Sequence, residues 1–479
     1  MKNFQRYRLW LALAVLVLPI LLRAVWFYHG LPSLSNVKSP DYAANTVPVP
    51  PVSTAVAAKV SASVGKVVLL DNYHANQFTP SEIQDFIDRL TARGAQVEVN
   101  NGDLDLASEL KYVSSYIVFS PEGVYSAAEV QQVRDFVSRG GRLIVFTDPT
   151  RGQVTTDYNT GATVTLPDSE YANPLLQPFG IAVNPDYLYD LVKNEGNFRN
   201  VFFAKFGADA LTSGLSQVAL YGAHSIQTLD GTPLVVGDTN TLSSSTDAGG
   251  GLAAAVLSRD GNVLAVGDFT FLLPPYNTVA DNSLFVDRIA DFAVGGKRLA
   301  TISDFPYVFE RPVTVVPTGG LQMAADILAP LASLQSALQA THIGLTVNAT
   351  PPANTDRLVL GSLTPSDDLT PYLEPFKLGL DDPTSVTLPD FGTISRSGVG
   401  LLLYQHTDAH NTLVLLTDLP SDLPALIQLL ADGDLSSCLI QGDAGVCSIG
   451  FGESNFQTPT AEFPTLEATT PEPTPTPLR

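Results

Sequence analysis

Sulfur, tryptophan and positive charge are scarce in this chain. Its 479 residues include two cysteines, two methionines and two tryptophans. Without a CxxC pair or a Cys/His cluster there is no ligand set for a thiolate zinc site. Lys and Arg number 26 against 48 Asp and Glu, a net charge of −22. That balance excludes non-specific nucleic-acid binding, which needs cations to neutralise phosphates. It also argues against docking of the folded part on an anionic lipid surface. Gly-x-Ser-x-Gly, Walker A and His-Glu-x-x-His patterns are absent as well. Neither a cofactor nor a metal is expected.

The positive charge that exists is unevenly placed. Lys2, Arg6, Arg8 and Arg23 fall within the first 30 residues, which contain no acid. Leu9 to Tyr28 is apolar except for Pro19 and Arg23. Twenty helical residues rise roughly 30 Å, the thickness of a bilayer core. The basic flank predicts a single-pass anchor with its N-terminus in the cytoplasm and the bulk of the chain outside. Arg23 can snorkel, and Trp26, Phe27 and Tyr28 suit the interface. The competing reading is a cleaved signal peptide, although no small-x-small site follows the run.

Five segments are expected: 1–30, a cytoplasmic stub and anchor; 31–65, a Pro-rich linker; 66–300, an α/β domain; 301–451, a smaller α+β domain; and 452–479, a disordered tail. The tail from Glu453 onward holds seven Thr, six Pro and four Glu and cannot bury enough apolar surface to fold. Cys438 and Cys447 flank the turn Gly442-Asp443. An extracytoplasmic location makes them a disulfide closing a hairpin; the alternative is two buried free thiols.

The segment 66–300 opens on the apolar run Lys66 to Asp71, fit for a buried parallel strand. Thr79-Pro80-Ser81-Glu82 predicts a helix start, with Ile83, Phe86, Ile87 and Leu90 at helical spacing. Val97–Val99, Tyr116–Phe119 and Leu143–Thr147 read as further strands. A helix opened by the Ser126/Glu129 capping box precedes the last of them. This alternation predicts an open parallel sheet with helices on both faces.

Several motifs resemble a family of uncharacterised domains with a class I glutamine-amidotransferase-like fold, related to the auxiliary periplasmic component of gliding-motility ABC exporters. They are Leu70-Asp71-Asn72-Tyr73-His74-Ala75-Asn76-Gln77-Phe78, the Tyr125 to Asp148 unit with Gly140-Gly141, Ala210 to Leu215, and Gly267-Asp268-Phe269 with Asp281-Asn282. The resemblance covers residues 66–298. It implies a flavodoxin-like sheet and a role beside an ABC-type envelope transport or surface-assembly complex.

Amidotransferase chemistry needs a nucleophile on a strained strand-to-helix turn. The turn after the fourth strand, Phe146-Thr147-Asp148-Pro149-Thr150, supplies neither Cys nor Ser. No catalytic residue is therefore assigned. Asp71, His74, Asn76, Asp148 and Asp268 sit at predicted strand ends, where α/β sheets bind ligands. They could hold a cation or a polyol, or simply cap helices and make turns. His406 to His410 reads as a solvated hairpin turn. The expectation is a non-catalytic, membrane-anchored binding or scaffold protein; the alternative is a hydrolase with an atypical acidic site.

Overall fold

The computed structural model describes residues 2–28, 66–156, 161, 163–246 and 249–449. The linker expected over 31–65 and the tail expected over 452–479 lie outside these. Contacts divide the chain into two compact units, Met1–Pro50 and Pro51–Arg479. The first contains helix α1, Lys2–Tyr28. Its stretch Tyr7–Tyr28, with mean hydropathy 2.3, is long and apolar enough to cross a membrane.

The second unit opens with β1 (Val67–Asp71), α2 (Gln84–Ala92), β2 (Gln96–Asn100), α3 (Leu106–Leu110), β3 (Val113–Phe119), α4 (Ala127–Ser138) and β4 (Arg142–Phe146). The strands β2, β1, β3 and β4 lie side by side in that order and run parallel. Strand Val263–Val266 extends the parallel run beyond β4. Ala253–Leu257 then pairs antiparallel, followed by Thr232–Val236 and Lys205–Phe206. Two short strands off this path, Ile181–Val183 and Ile226–Thr228, complete ten.

Residue alternation sends the two faces of these strands into different cores. Val68, Leu70, Phe119 and Phe146 pack with Ile83, Phe86 and Leu90 near α2, and with helix Asn282–Val294. Leu69, Tyr116, Val118 and Val145 pack with α3 and α4. Helices therefore cover both faces, as the sequence pattern predicts. Phe86 meets the stacked pair Phe119 and Phe146 edge-on, at 6.5 and 6.2 Å. Burying each such ring contributes about 1.5–3 kcal/mol.

Local signals at helix starts fare unequally. The Ser126/Glu129 capping box forms at α4. At α2 only half of the box appears: Glu82 accepts from Thr79 N, and residues 80–83 form turns, so the helix begins at Gln84. The Glu82 carboxylate is also paired with Arg151, a long-range partner that local spacing does not reveal.

The second sheet corrects the expectation of an α+β arrangement over 301–451. Leu345–Val347, Val313–Pro317, Asp356–Ser362 and Asn411–Thr417 are neighbours in that order and all parallel. Parallel neighbours need crossovers, and helix Ala325–Gln339 supplies the first. This part is therefore α/β, with three antiparallel strands, Val399–His406, Ala444–Ser448 and Cys438–Gln441, added at one side. Cys438 and Cys447 face each other in the last pair with their sulfurs at disulfide distance. Asp304, ahead of the second sheet, accepts from Thr301 N and pairs with both Arg139 and Arg298, which follow helices of the first part.

Candidate functional site

β1 is flanked by β2 and β3, so the chain reverses its direction of sheet growth between β1 and β3. Such a switch point leaves a crevice beyond the strand ends. Here the loops fill the crevice with their own side chains. Asp71 Oδ2, at the end of β1, accepts from His74 Nδ1 (2.9 Å), Asn76 Nδ2 (2.8 Å) and Tyr125 Oη (2.5 Å). The His74 ring stacks on Tyr125 with centroids 3.7 Å apart. Asn76 Oδ1 accepts from Phe119 N, tying the loop to β3. His74 O accepts from Gly123 N, tying it to the loop after β3. Asp71, His74 and Asn76 are all buried.

His74 stands between two carboxylates. Its Nε2 faces Glu129 Oε1 at 3.3 Å, on the side opposite Asp71. Burial alone would lower the imidazole pKa. The hydrogen bond and charge of Asp71 and the charge of Glu129 outweigh that, so the net shift is upward. A raised folded-state pKa contributes stability that is full below the unfolded value of about 6.5 and is lost as pH rises through the folded value. The stability difference between the wild type and His74→Gln should therefore shrink as pH rises above the unfolded value of about 6.5. Urea unfolding at several pH values measures this, and a pH-independent difference would refute it.

Asp148 and Asp268 form a second, separate group at the ends of β4 and Val263–Val266. Asp148 Oδ1 accepts from Thr150 N and Oγ1, and its Oδ2 accepts from Thr270 Oγ1. Asp268 accepts from Tyr221 N and Thr270 N. Burial, and next the charge of Asp148, push the Asp268 pKa well above the usual carboxylate range. Asp148 N in turn donates to Asp168 Oδ2, whose other oxygen meets His224 Nε2 at 2.9 Å. The five strand-end residues thus divide three and two. Among the described residues no group of three or more His, Cys, Asp and Glu is placed to hold a metal ion. His406 bonds to Asn411 across its hairpin turn.

The turn after β4 carries no positive φ. Thr147 is buried, its hydroxyl directed at Val266 O. The positive φ falls instead at Ser120, directly after β3, with φ 40°. A non-glycine residue there is uncommon and marks strain. Ser120 is fully buried, and its Oγ has no hydrogen-bond partner among the described residues. The following Pro121 gave no glycine-type turn signal from which this could be read.

Beside the Asp148 group opens a cleft of about 830 Å³. Its walls include Thr150, Arg151, Arg199, Tyr221, Thr270 and Tyr276. Arg151 lies over the Phe269 ring at 4.3 Å and pairs with Glu82. Arg199 lies over Tyr187 at 4.1 Å. Tyr221 and Tyr276 pack with centroids 4.5 Å apart. The sequence reading did not bring these residues together because they come from segments spread over more than 100 positions and form no local motif.

Residues 65–262 match the family described as an ABC-type uncharacterized transport system. The matched segment is less than half of the chain. It carries β1 to β4 and all of Asp71, His74, Asn76 and Asp148, while Asp268 and the second sheet lie beyond it. No curated protein matches the chain. Solved structures with some likeness include the mmIFT52 N-terminal domain, 14% identical over 47% of this chain and 97% of that one, TM-score 0.39. Another is a ThuA-like protein from Bacteroides uniformis, 13% identical over 50% and 94%, TM-score 0.28. A third is the β-galactosidase of the Antarctic haloarchaeon Halorubrum lacusprofundi, 15% identical over 50% and 31%, TM-score 0.28.

Proposed function

We propose that this protein is a membrane-anchored, extracytoplasmic binding component that acts without catalysis beside an ABC-type envelope transporter. The observation that carries this reading is the transport-system family match over residues 65–262. The apolar stretch Tyr7–Tyr28, preceded by basic residues, supports an uncleaved anchor. In this reading residues 66–300 are a flavodoxin-like, amidotransferase-like domain, 301–451 a second domain closed by a Cys438–Cys447 disulfide, and the bulk lies outside the cytoplasm. Asp148 and Asp268 then hold Thr150, Thr270 and Tyr221 at the wall of the binding cleft, while Asp71, His74 and Asn76 close the neighbouring switch point.

The test uses the full-length protein in its native membrane. Protease added to intact spheroplasts should digest the bulk of the chain. Mild solubilisation should co-isolate an ABC permease and its ATPase. Full protection of the chain, or its isolation without any transporter subunit, would overturn the reading.

A hydrolase remains the second reading, favoured by one observation: the positive φ and buried hydroxyl of Ser120 at the switch point. Its complete burial favours the non-catalytic one. Glutamine or ester turnover that Ser120→Ala abolishes would decide for the hydrolase.

A further inference from the structure

We infer that the cleft beside β4 binds an acidic saccharide: a hydroxylated ring bearing a carboxylate or phosphate. The inference rests on the binding reading above and specifies its ligand. The first argument is charge. The chain has almost two acids for every base, yet the cleft is lined by Arg151 and Arg199 against the single acid Glu82. Glu82 is already paired with Arg151. Among the described residues no carboxylate pairs with Arg199, although nine other Arg and Lys residues in this second unit hold such ion pairs. The Tyr187 face beneath the Arg199 guanidinium holds its plane without using its donors. Those donors are left for an oxyanion, which a guanidinium binds in bidentate fashion.

The second argument is the rest of the lining. Ser81, Asn197 and Asn200 present hydroxyl and amide groups, and the Thr150 and Thr270 hydroxyls, whose protons go to Asp148, can still accept; such a lining suits a hydroxylated ligand better than an apolar one. Tyr276, 38% exposed and backed by Tyr221, offers a ring against which a sugar can lie. The third argument is position. The cleft lies beyond the carboxyl ends of the parallel strands β4 and Val263–Val266, where ligands of α/β sheets bind. Because the loops fill the switch point with Asp71, His74 and Tyr125, this neighbouring opening takes over that role.

The experiment is a binding titration of the full-length protein in detergent by calorimetry. The probes are glucuronate, glucose 6-phosphate, glucose and inorganic phosphate. At least one charged sugar should bind about tenfold or more tightly than glucose and than inorganic phosphate alone. Which of the two does so identifies the oxyanion as carboxylate or phosphate. Arg199→Ala should weaken that binding by about tenfold or more, and Arg199→Lys by less, because the point charge remains while the fork is lost. Arg199 is exposed, so the unfolding midpoint should not move and the loss can be assigned to the site. No saturable binding of either charged sugar, equal binding of inorganic phosphate, or unchanged affinity in Arg199→Ala would overturn the inference. If transporter subunits still co-isolate in that event, only the ligand class fails and the binding reading stands.

Discussion

Replacing Asp71 by Ala should lower the unfolding free energy by about 3–5 kcal/mol, the cost of removing one partner from a buried charged network. The carboxylate is fully buried and collects donors from His74, Asn76 and Tyr125. Removing it takes the acceptor from His74 Nδ1, Asn76 Nδ2 and Tyr125 Oη in the core and leaves Glu129 as the one carboxylate beside His74. Asp71→Asn should cost less, since it keeps an acceptor and nearly the same volume. It brings an amide N–H toward groups that are themselves donors, however, so it should not be neutral. Urea unfolding followed by the near-ultraviolet circular dichroism of the tyrosines measures both. Hydrogen exchange should locate the damage at the Gly123 amide, which donates to His74 O. A loss under about 1 kcal/mol for Asp71→Ala would mean that the network is not coupled as its geometry requires.

Gly267→Ala should be comparably harmful, by about 3 kcal/mol or more, for a steric reason. An added Cβ would lie 2.3 Å from His224 O and 3.0 Å from His224 N. Both are backbone atoms, so no rotamer change relieves the clash. The two chains approach this closely because His224 N donates to Gly267 O while Gly267 N donates to Ala254 O. Pushing His224 away would also stretch its contact with Asp168 and, through Asp168, the bond to Asp148 N. Gly344→Ala is the control: its Cβ would meet nothing within 4 Å, and the change should stay within about 0.5 kcal/mol. Equal thermal midpoints for the two variants would refute the steric account.

How legible the molecule was in its sequence depended on the range of the interaction. The parallel order of β1 to β4 follows from continuous apolar runs separated by helical spacing, and both signals are local. The Ser126/Glu129 box is local too, and it formed. Where a side chain had a distant partner, local reading misjudged it, as with Glu82 and the start of α2. The short α3 went unread because five residues give too little periodicity. The second sheet was assigned to the wrong class because its crossovers are long and its antiparallel strands are the more evident signal. At the candidate site, composition placed Asp71, Asp148 and Asp268 at strand ends but could not say that they divide into two groups. Arg199 and Tyr276 reach one cleft only through the tertiary fold, and nothing in their neighbouring residues marks them.

The hairpin that carries Cys438 and Cys447 has a consequence for self-association. Cys438–Gln441 is the outermost strand of the second sheet, and an outermost strand offers unpaired backbone groups to any other chain. A covalent link to its neighbour would keep this strand from peeling away and exposing the edge of Ala444–Ser448 behind it. At the opposite border Leu345–Val347 is only three residues long, and in the first sheet Lys205–Phe206 is only two. The other border of the first sheet, β2, carries Glu98 in mid-strand. Short, charged or stapled borders of this kind resist β-aggregation.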